Sequence, residues 1–308
     1  MKINRRHFIQ QAGLLAGAAT LGSETLAHTT LIKPWFEISL AEWSLHKTIF
    51  NEKKLTNLDF PVVARKDFDI GIVEYVNQMF KDKAKDTVYL NELLQRCRDH
   101  DVRNHLIMID GEGGMAEPDE KLRSQAIENH KKWVECAKYL GCTTIRVNAY
   151  GKGTAEEVGK AAADGLAKLG EFAAPLGINV VVENHGGYSS NGQWLSGVMR
   201  QVNMVNVGTL PDFGNFCIKR TMSGCDEEYD RYQGVKELMP YAKGVSAKTN
   251  VFDDEGNEAN MDYERLLKIV KQSGFRGIIG IEYEGNKLSE YEGIKATKRL
   301  LERAGATV

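Results

Sequence analysis

The sequence predicts an α/β protein folded as a (β/α)₈ barrel in a single domain. Eight short runs rich in β-branched residues alternate with longer stretches in which apolar residues recur at helical spacing. Several of these stretches end in a glycine just before the next strand, as at Gly141, Gly177 and Gly274, and glycine ends helices by adopting a left-handed conformation. Eight strand and helix pairs suit the roughly 250 residues of this fold.

The predicted strands, in chain order, are residues 36–40, 71–75, 104–109, 143–147, 179–183, 207–210, 244–248 and 277–282. An open, doubly wound sheet is the competing fold, but it normally carries a glycine-rich phosphate loop after its first strand. Residues 40–44, Leu-Ala-Glu-Trp-Ser, contain no glycine. No linker divides the chain after the N-terminal segment, so one barrel domain is favoured.

The N-terminal segment does not follow the barrel pattern. Arg5 and Arg6 precede an aromatic residue, a weakly apolar run covers residues 11–22, and small residues follow at the positions that a signal peptidase reads. This segment resembles a twin-arginine export signal. Its apolar run is shorter than the roughly 20 residues that span a bilayer, so no membrane association beyond export is expected. The sequence therefore predicts a signal peptide at residues 1–27, a barrel at residues 28–308 and a periplasmic location.

Composition and charge favour a small-molecule partner. Of the 308 residues, 42% are hydrophobic and 27% are charged, which supplies enough apolar material for a sizeable core. The net charge of −2 becomes −4 without residues 1–27, which hold three basic residues and one acidic residue. A mildly acidic chain without a basic run lacks the electrostatic footprint of a nucleic-acid-binding protein. We therefore expect no nucleic-acid partner.

The cysteines predict no disulfide. Their number is odd, their spacing shows no pairing pattern, and a protein that folds before export does so in a reducing compartment. All five are expected to be small buried hydrophobic residues. They are Cys97, Cys136, Cys142, Cys217 and Cys225.

Three carboxylates stand at the carboxyl ends of predicted strands, where a barrel of this kind places its active site. Glu183, Asp212 and Glu282 come from the fifth, sixth and eighth strands. Carboxylates that converge raise one another's pKa, and a divalent cation is the usual compensation. We predict that these three side chains are oxygen ligands of a metal that holds two adjacent oxygens of a sugar or keto-sugar.

Other residues at this edge are predicted to bind the substrate. A tryptophan can stack on a sugar face, although tryptophans near strand ends more often pack in the core. Polar side chains can bind the hydroxyl groups of a sugar. The predicted substrate-binding residues are Trp43, Glu74, Arg146, Asn148 and Asn215.

Four segments carry a resemblance to a known family. In chain order they are VVVENHGG at 180–187, VGTLPDFGN at 207–215, GVSAKTNVFDDEGN at 244–257 and GIIGIEYEG at 277–285. They resemble the xylose-isomerase-like TIM-barrel superfamily of sugar isomerases and epimerases, which also contains a DNA-repair endonuclease branch. The resemblance implies a divalent metal at Glu183, Asp212 and Glu282. It also implies proton transfer at a carbon next to a carbonyl, with the two glutamates as the acid–base pair.

The chain departs from the family pattern at two positions. Asn215 stands where the family often has a histidine three residues after the strand-six aspartate, and Ser246 stands where a metal-binding histidine usually precedes the strand-seven lysine by two residues. Both changes remove nitrogen ligands. The remaining oxygen ligands favour Mn²⁺ or Mg²⁺ over Zn²⁺. They also argue against the endonuclease branch, which needs a histidine-rich site with several zinc ions.

The fourth metal ligand is left open between two residues. Ser246 could act through a water molecule, and His185 could face the same way as Glu183 if the strand continues that far. His185 is favoured as a substrate-binding or acid–base residue, with a hydrogen-bonding loop residue as the structural alternative. Lys248 has three possible roles: it pairs with the carboxylates, it stabilises an enolate oxygen or donates a proton, or its ammonium group replaces the metal.

The expected reaction is metal-assisted proton abstraction. The cation polarises a carbonyl and its neighbouring hydroxyl, and Glu183 or Glu282 removes the proton between them. Return of a proton to the other face, or to the adjacent carbon, gives epimerisation or isomerisation. Where a leaving group lies β to the carbonyl, the same enolate expels it, which would make the protein a lyase for 3-keto-glycosides. A periplasmic sugar-binding protein without catalysis is the alternative of another class.

Overall fold

A parallel sheet of eight strands forms the centre of the computed structural model, which describes residues 34–308. Its strands are β1 Glu37–Ala41, β2 Ile72–Val76, β3 Arg103–Met108, β4 Thr144–Val147, β5 Asn179–Glu183, β6 Val207–Leu210, β9 Val245–Thr249 and β10 Ile278–Tyr283. They are ordered β6-β5-β4-β3-β2-β1-β10-β9. Parallel bridges of Thr209 with Ala242 and of Asp212 with Ser246 join the two outer strands. The predicted (β/α)₈ barrel is confirmed, and each predicted strand agrees with an observed one to within one residue.

Helices cover the outside of the sheet. They are α1 Phe60–Phe68, α2 Thr87–Asp99, α3 Glu120–Leu140, α4 Ala155–Ala173, α5 Gly192–Val202, α6 Arg231–Leu238, α7 Tyr263–Gln272 and α8 Glu290–Thr307. Most begin at a side chain that accepts a hydrogen bond from the first turn, and Thr154 and Ser289 form full capping boxes with Glu157 and Glu292. These caps fix where each loop after a strand ends. No helix within residues 34–308 is long and apolar enough to cross a membrane.

The valines of β5 show how the strands divide the core. Val180 and Val182 pack in the large apolar cluster between sheet and helices, whereas Val181 belongs to a small cluster inside the barrel. Side chains alternate between the two faces of a strand, so Glu183 lies on the same face as Val181. The alternation of the apolar residues of β5 therefore places the Glu183 carboxylate on the inner face, at the mouth of the barrel.

A two-stranded antiparallel hairpin was not among the predicted elements. It consists of β7 Cys217–Thr221 and β8 Gly224–Glu228, between β6 and α6. Cys217 and Cys225 form a disulfide across it, so the prediction of five buried free cysteines is wrong for this pair. The segments CIKRT and GCDEE are polar and largely exposed, and their sequence therefore shows no alternation that would reveal strands. The other three cysteines are buried and free, as predicted.

The predicted signal peptide at residues 1–27 lies outside the described residues.

A buried carboxyl group follows the first strand. Glu42 accepts a hydrogen bond from the backbone N–H of Val76 at 2.9 Å. The Asn57 amide donates to the Tyr89 hydroxyl at 3.0 Å, which leaves its oxygen beside Glu42 as an acceptor for a protonated carboxyl group. Burial raises the pKa of Glu42 to about 8, against the smaller opposing effect of the Val76 hydrogen bond. The folded protein therefore favours the protonated form of this side chain.

This burial predicts a pH-dependent stability difference between the wild type and Glu42→Gln. The ordinary pKa of Glu42 is 4.5, so its stabilising contribution is fully present below that value and is lost as the pH rises through the folded pKa of about 8. Glutamine does not titrate. Between pH 5 and pH 8 the free energy of unfolding of the wild type should fall relative to the variant by up to about 1.4 kcal/mol per pH unit.

Urea denaturation at several pH values measures this difference. Glu171→Gln, at an exposed position on α4, is the matched control and should follow the wild type at every pH. A difference between wild type and Glu42→Gln that stays constant with pH would contradict the assignment.

Candidate functional site

Three buried carboxylates meet inside the mouth of the barrel. Glu183 ends β5, Asp212 follows β6 by two residues, and Glu282 lies near the end of β10. One oxygen of each lies within 4.8 Å of the corresponding oxygens of the other two. Their exposed fractions are 1%, 0% and 4%. The structure thus brings together the three residues that the sequence predicts as metal ligands.

The turn after β6 holds Asp212 in place. Its Oδ1 atom accepts hydrogen bonds from the backbone N–H groups of Gly214 at 2.8 Å and Asn215 at 2.7 Å. The Asn184 side chain accepts from the Asp212 backbone N–H and donates to the carbonyl groups of Asp212 and Asn215. The Asn215 amide also donates to Glu183 Oε1 at 3.1 Å. Asn184 and Asn215 therefore fix the first two carboxylates relative to each other.

Strand β9 contributes a hydroxyl and an ammonium group to the cluster. Ser246 donates to Asp212 Oδ2 at 2.6 Å, and its Oγ lies 3.3 Å from Glu282 Oε2. Lys248 Nζ lies 3.0 Å from Glu282 Oε1 and 3.0 Å from Glu284 Oε1. The two side chains share one face of the strand, as their spacing requires. The Ser246 hydroxyl thus lies beside two of the three converging carboxylates, and Lys248 is the ion-pair partner of Glu282.

A second polar group surrounds Asp110. Arg146 Nη1 and Asn148 Nδ2 both donate to Asp110 Oδ1, at 2.8 and 2.6 Å. Arg146 Nε lies 2.9 Å from Glu183 Oε2, but the N–H is not directed at the oxygen, so this contact is an ion pair without a hydrogen bond. Within residues 34–308, Glu183 Oε2 and Asn148 Oδ1 are buried acceptors that receive no hydrogen bond. Both atoms are therefore available to a ligand.

Negative charge exceeds positive charge in this region. The carboxylates are Glu74, Asp110, Glu183, Asp212, Glu282 and Glu284, and the cations are Arg146 and Lys248. Burial, opposed by Arg146 and aided by Glu282, raises the pKa of Glu183 to about 7. Burial raises the pKa of Asp212 to about 7 against the opposing charge of Lys248. The pKa of Glu282 is lowered from its ordinary value. Burial acts to raise this pKa, but the charge and the hydrogen bond of Lys248 outweigh the effect of burial.

A cavity of about 700 Å³ opens beside the cluster. Its apolar lining residues are Trp43, Val76, Met108 and Ile109. Its polar lining residues are Gln78, Asp110, Arg146, Asn148, Tyr150, His185, Glu282 and Glu284. Glu282 is the carboxylate that belongs to both the cluster and the cavity wall. A ligand in the cavity would therefore reach the carboxylates through Glu282.

Some of the predicted substrate-binding residues line this cavity and others do not. Trp43, Arg146 and Asn148 line the cavity, and the Trp43 ring stacks on His46 at a centroid distance of 4.8 Å. Glu74 and Asn215 do not line it. Glu74 accepts a hydrogen bond from Ser39 at 2.5 Å.

His185 lines the cavity but does not join the group of converging carboxylate oxygens. Its Nδ1 atom contacts the Tyr150 hydroxyl. Burial lowers the pKa of His185, and Arg146 and Lys248 lower it further, so the neutral ring is favoured. Of the two candidate fourth ligands, Ser246 contacts the carboxylate cluster directly, whereas the Nδ1 atom of His185 contacts Tyr150.

Three residues of the site are absent from the predicted set. Asp110 follows a strand at the same edge as the others, and Glu284 comes two residues after Glu282, so strand ends and spacing could have indicated both. Tyr150 lies in the loop after β4, where no periodic pattern indicates the direction of a side chain.

The donor set suits a divalent cation that prefers oxygen. Three carboxylate oxygens converge, the Ser246 hydroxyl is adjacent, and Glu183 Oε2 is a buried oxygen without a hydrogen-bond donor. A cation bound here would satisfy that oxygen and would offset the excess of negative charge.

Solved structures with this fold share little sequence with the chain. The zinc-bound IolI protein has a TM-score of 0.69 at 18% identity, covering 88% of this chain and 98% of its own. L-ribulose 3-epimerase has a TM-score of 0.67 at 13% identity, covering 88% and 94%. The 3-keto-D-glucoside 4-epimerase YcjR from E. coli, in its apo form, has a TM-score of 0.63 at 13% identity, covering 87% and 99%. At these identities the likeness shows the fold alone.

Among curated proteins, none matches the sequence. The model of one family, described as xylose isomerase-like TIM barrel, matches residues 64–304, which is most of the chain. This match confirms the resemblance seen in the four sequence segments. The chain belongs to the xylose isomerase-like TIM barrel family.

Proposed function

We propose that this protein is a divalent-metal-dependent sugar isomerase or epimerase that moves a proton at a carbon next to a carbonyl. The observation that carries the proposal is the convergence of Glu183, Asp212 and Glu282, with Glu183 Oε2 receiving no hydrogen bond. The epimerases among the solved structures with this fold support the same class of reaction.

The metal would be held by Glu183, Asp212 and Glu282, with the Ser246 hydroxyl, directly or through water, as the fourth ligand. An all-oxygen donor set favours Mn²⁺ or Mg²⁺ over Zn²⁺. When bound, such an ion polarises a carbonyl and its neighbouring hydroxyl and so acidifies the C–H bond between them.

The chain's own residues supply the proton transfer. Glu282 reaches the cavity and accepts the proton from the substrate carbon, while the bonding electron pair moves to the carbonyl oxygen as an enolate. Lys248, beside Glu282, donates a hydrogen bond toward that oxygen. Glu183, which starts the reaction protonated, gives its proton to the opposite face or to the adjacent carbon, so that the turnover ends with Glu282 protonated and Glu183 ionised. Arg146, Asp110 and Asn148 orient the hydroxyl groups.

Elimination on 3-keto-glycosides is a second candidate, favoured by the size of the cavity. The cavity measures about 700 Å³, which lies within the range of about 300–1,000 Å³ that accommodates ligands larger than a single sugar ring. Its apolar lining residues, which include Trp43, can contact an apolar group attached to the sugar. In this reaction the enolate electron pair expels the group β to the carbonyl instead of taking back a proton.

The proposed reaction predicts proton exchange that depends on both glutamates. The purified protein should contain Mn²⁺ or Mg²⁺ and should incorporate solvent deuterium into a member of a panel of ketohexoses and 3-keto-glycosides. Glu183→Gln and Glu282→Gln should each lower the exchange rate by about 10²–10⁴-fold, because each removes a proton-transfer group. Glu171→Gln, on the exposed surface of α4, is the matched control.

Product analysis of the same reactions separates the candidates. An epimer or isomer supports the first, and a released aglycone supports elimination. Tight sugar binding without exchange would instead identify a binding protein. Wild-type exchange in both glutamine variants, in protein without metal, would contradict the mechanism.

The ligand set predicts that Ser246→His changes metal preference. An imidazole beside Asp212 and Glu282 adds a nitrogen ligand, which zinc accepts readily. Competition with a chelating dye should show at least about tenfold tighter Zn²⁺ binding in the variant, with a smaller change for Mg²⁺. Ser223→His, in the exposed turn of the hairpin, controls for adventitious binding by an added histidine. Equal gains for both metals at both positions would argue against Ser246 as a ligand position.

We also propose that the protein is exported by a twin-arginine signal and acts in the periplasm. The Arg5–Arg6 pair and the Cys217–Cys225 disulfide support this location, because structural disulfides persist in oxidising compartments. Replacing both arginines by lysine should leave the protein in the cytoplasm with both thiols reduced, as fractionation and thiol alkylation would show. Unchanged export of this variant would exclude the twin-arginine route.

A further inference from the structure

We propose that Tyr150 fixes the tautomer of His185, so that the Nε2 atom of His185 faces the cavity as a hydrogen-bond acceptor for a hydroxyl group of a neutral polyol. This inference rests on the proposed function, because it specifies how the same cavity selects its substrate. Tyr150 acts here as a positioning residue, since it works through the histidine ring.

The tautomer follows from counting protons. The Tyr150 hydroxyl donates to the backbone carbonyl of His185 at 2.9 Å, and the same oxygen contacts Nδ1 of the His185 ring. A phenol has a single O–H proton, and the carbonyl can only accept. For both contacts to be hydrogen bonds, the Nδ1 atom carries the proton and donates it to the Tyr150 oxygen. A neutral ring protonated on Nδ1 has a lone pair on Nε2.

The backbone around both residues is held firmly. His185 N–H donates to Ser189 Oγ at 3.1 Å, and Gly186 N–H donates to Ser190 Oγ at 2.8 Å. Gly186 adopts a φ of 89°, which favours glycine and turns the chain directly after His185. On the other side, the Tyr150 carbonyl accepts from the Ala116 N–H at 3.1 Å. These backbone hydrogen bonds therefore hold Tyr150 and the His185 ring in fixed positions relative to each other.

The cavity lining around His185 includes several acceptors. His185 lines the cavity, and its Nε2 atom has no hydrogen-bond partner in the part of the chain that the structure describes. Asn148 Oδ1, which is buried, also lacks a donor. Asp110, Glu282 and Glu284 present carboxylates to the same space. These groups match a ligand with several hydroxyl donors and oppose one with a negative charge.

Nitrogen NMR of labelled protein tests the tautomer without any substrate. Long-range ¹H–¹⁵N spectra of ¹⁵N-histidine-labelled, metal-free protein at pH 8 distinguish protonated from unprotonated ring nitrogens, and His185→Gln assigns the resonances. In the wild type we expect Nδ1 protonated and Nε2 unprotonated. In Tyr150→Phe the ring should shift toward the Nε2-protonated form that free histidine prefers.

Tyr188→Phe is the matched control, since the Tyr188 hydroxyl donates to the Gly153 carbonyl and makes no contact with His185 Nδ1. It should leave the His185 tautomer unchanged. A wild-type ring protonated on Nε2, or the same tautomer in wild type and Tyr150→Phe, would overturn the proposal. Circular dichroism of each variant establishes that it is folded.

Glycerol at molar concentration serves as the neutral polyol probe. Its hydroxyl groups should move the Nε2 resonance of the wild type, and sodium acetate, which offers no donor at pH 8, should not. No shift with glycerol, or an equal shift with acetate, would contradict the acceptor role. Because these spectra need neither metal nor turnover, their outcome does not depend on the outcome of the sugar-exchange experiment.

Discussion

Burial of three carboxylates against one another is the constraint around which this barrel is arranged. Removing a carboxylate from water is costly unless it is paired or hydrogen-bonded. Asp212 is compensated by two backbone N–H groups and Ser246, and Glu282 is compensated by Lys248. Glu183 accepts a hydrogen bond from Asn215 on Oε1, and its Oε2 forms an ion pair with Arg146 but receives no hydrogen bond. This oxygen is therefore a buried acceptor that a bound ligand could use.

The same contacts also complete the barrel. The strands β6 and β9 are joined by the isolated bridges Thr209–Ala242 and Asp212–Ser246 rather than by a continuous ladder. The Ser246 hydroxyl adds a hydrogen bond to Asp212 across this seam. Two residues of the candidate metal site therefore also hold the seam together, and changes at either position are expected to affect metal binding and local stability jointly.

The sequence predicts the parts of this structure that repeat. Strand positions follow from alternation with helices, and the carboxylates at strand ends follow from the topology of a parallel barrel. Such a pattern does not show how far a side chain on a strand lies from the mouth of the barrel. Glu74 lies two residues before the end of β2 and packs under the cavity against Gly280, so it does not reach the cavity wall as Glu282 does. The disulfide hairpin and Tyr150 depend on irregular loops, whose geometry no periodicity records.

The two departures from the family pattern and the carboxylates that line the cavity have the same effect. Both leave the site rich in oxygen atoms and in negative charge. Ser246 and Asn215 replace nitrogen ligands by groups that hydrogen-bond to carboxylates, so the site keeps a high density of oxygen and of negative charge. Arg146 and Lys248, the cations of the cavity region, are already paired with Asp110 and Glu284. An anionic substrate would have to break one of these pairs to gain a counter-ion, whereas a neutral sugar can use the unpartnered acceptors without disturbing them.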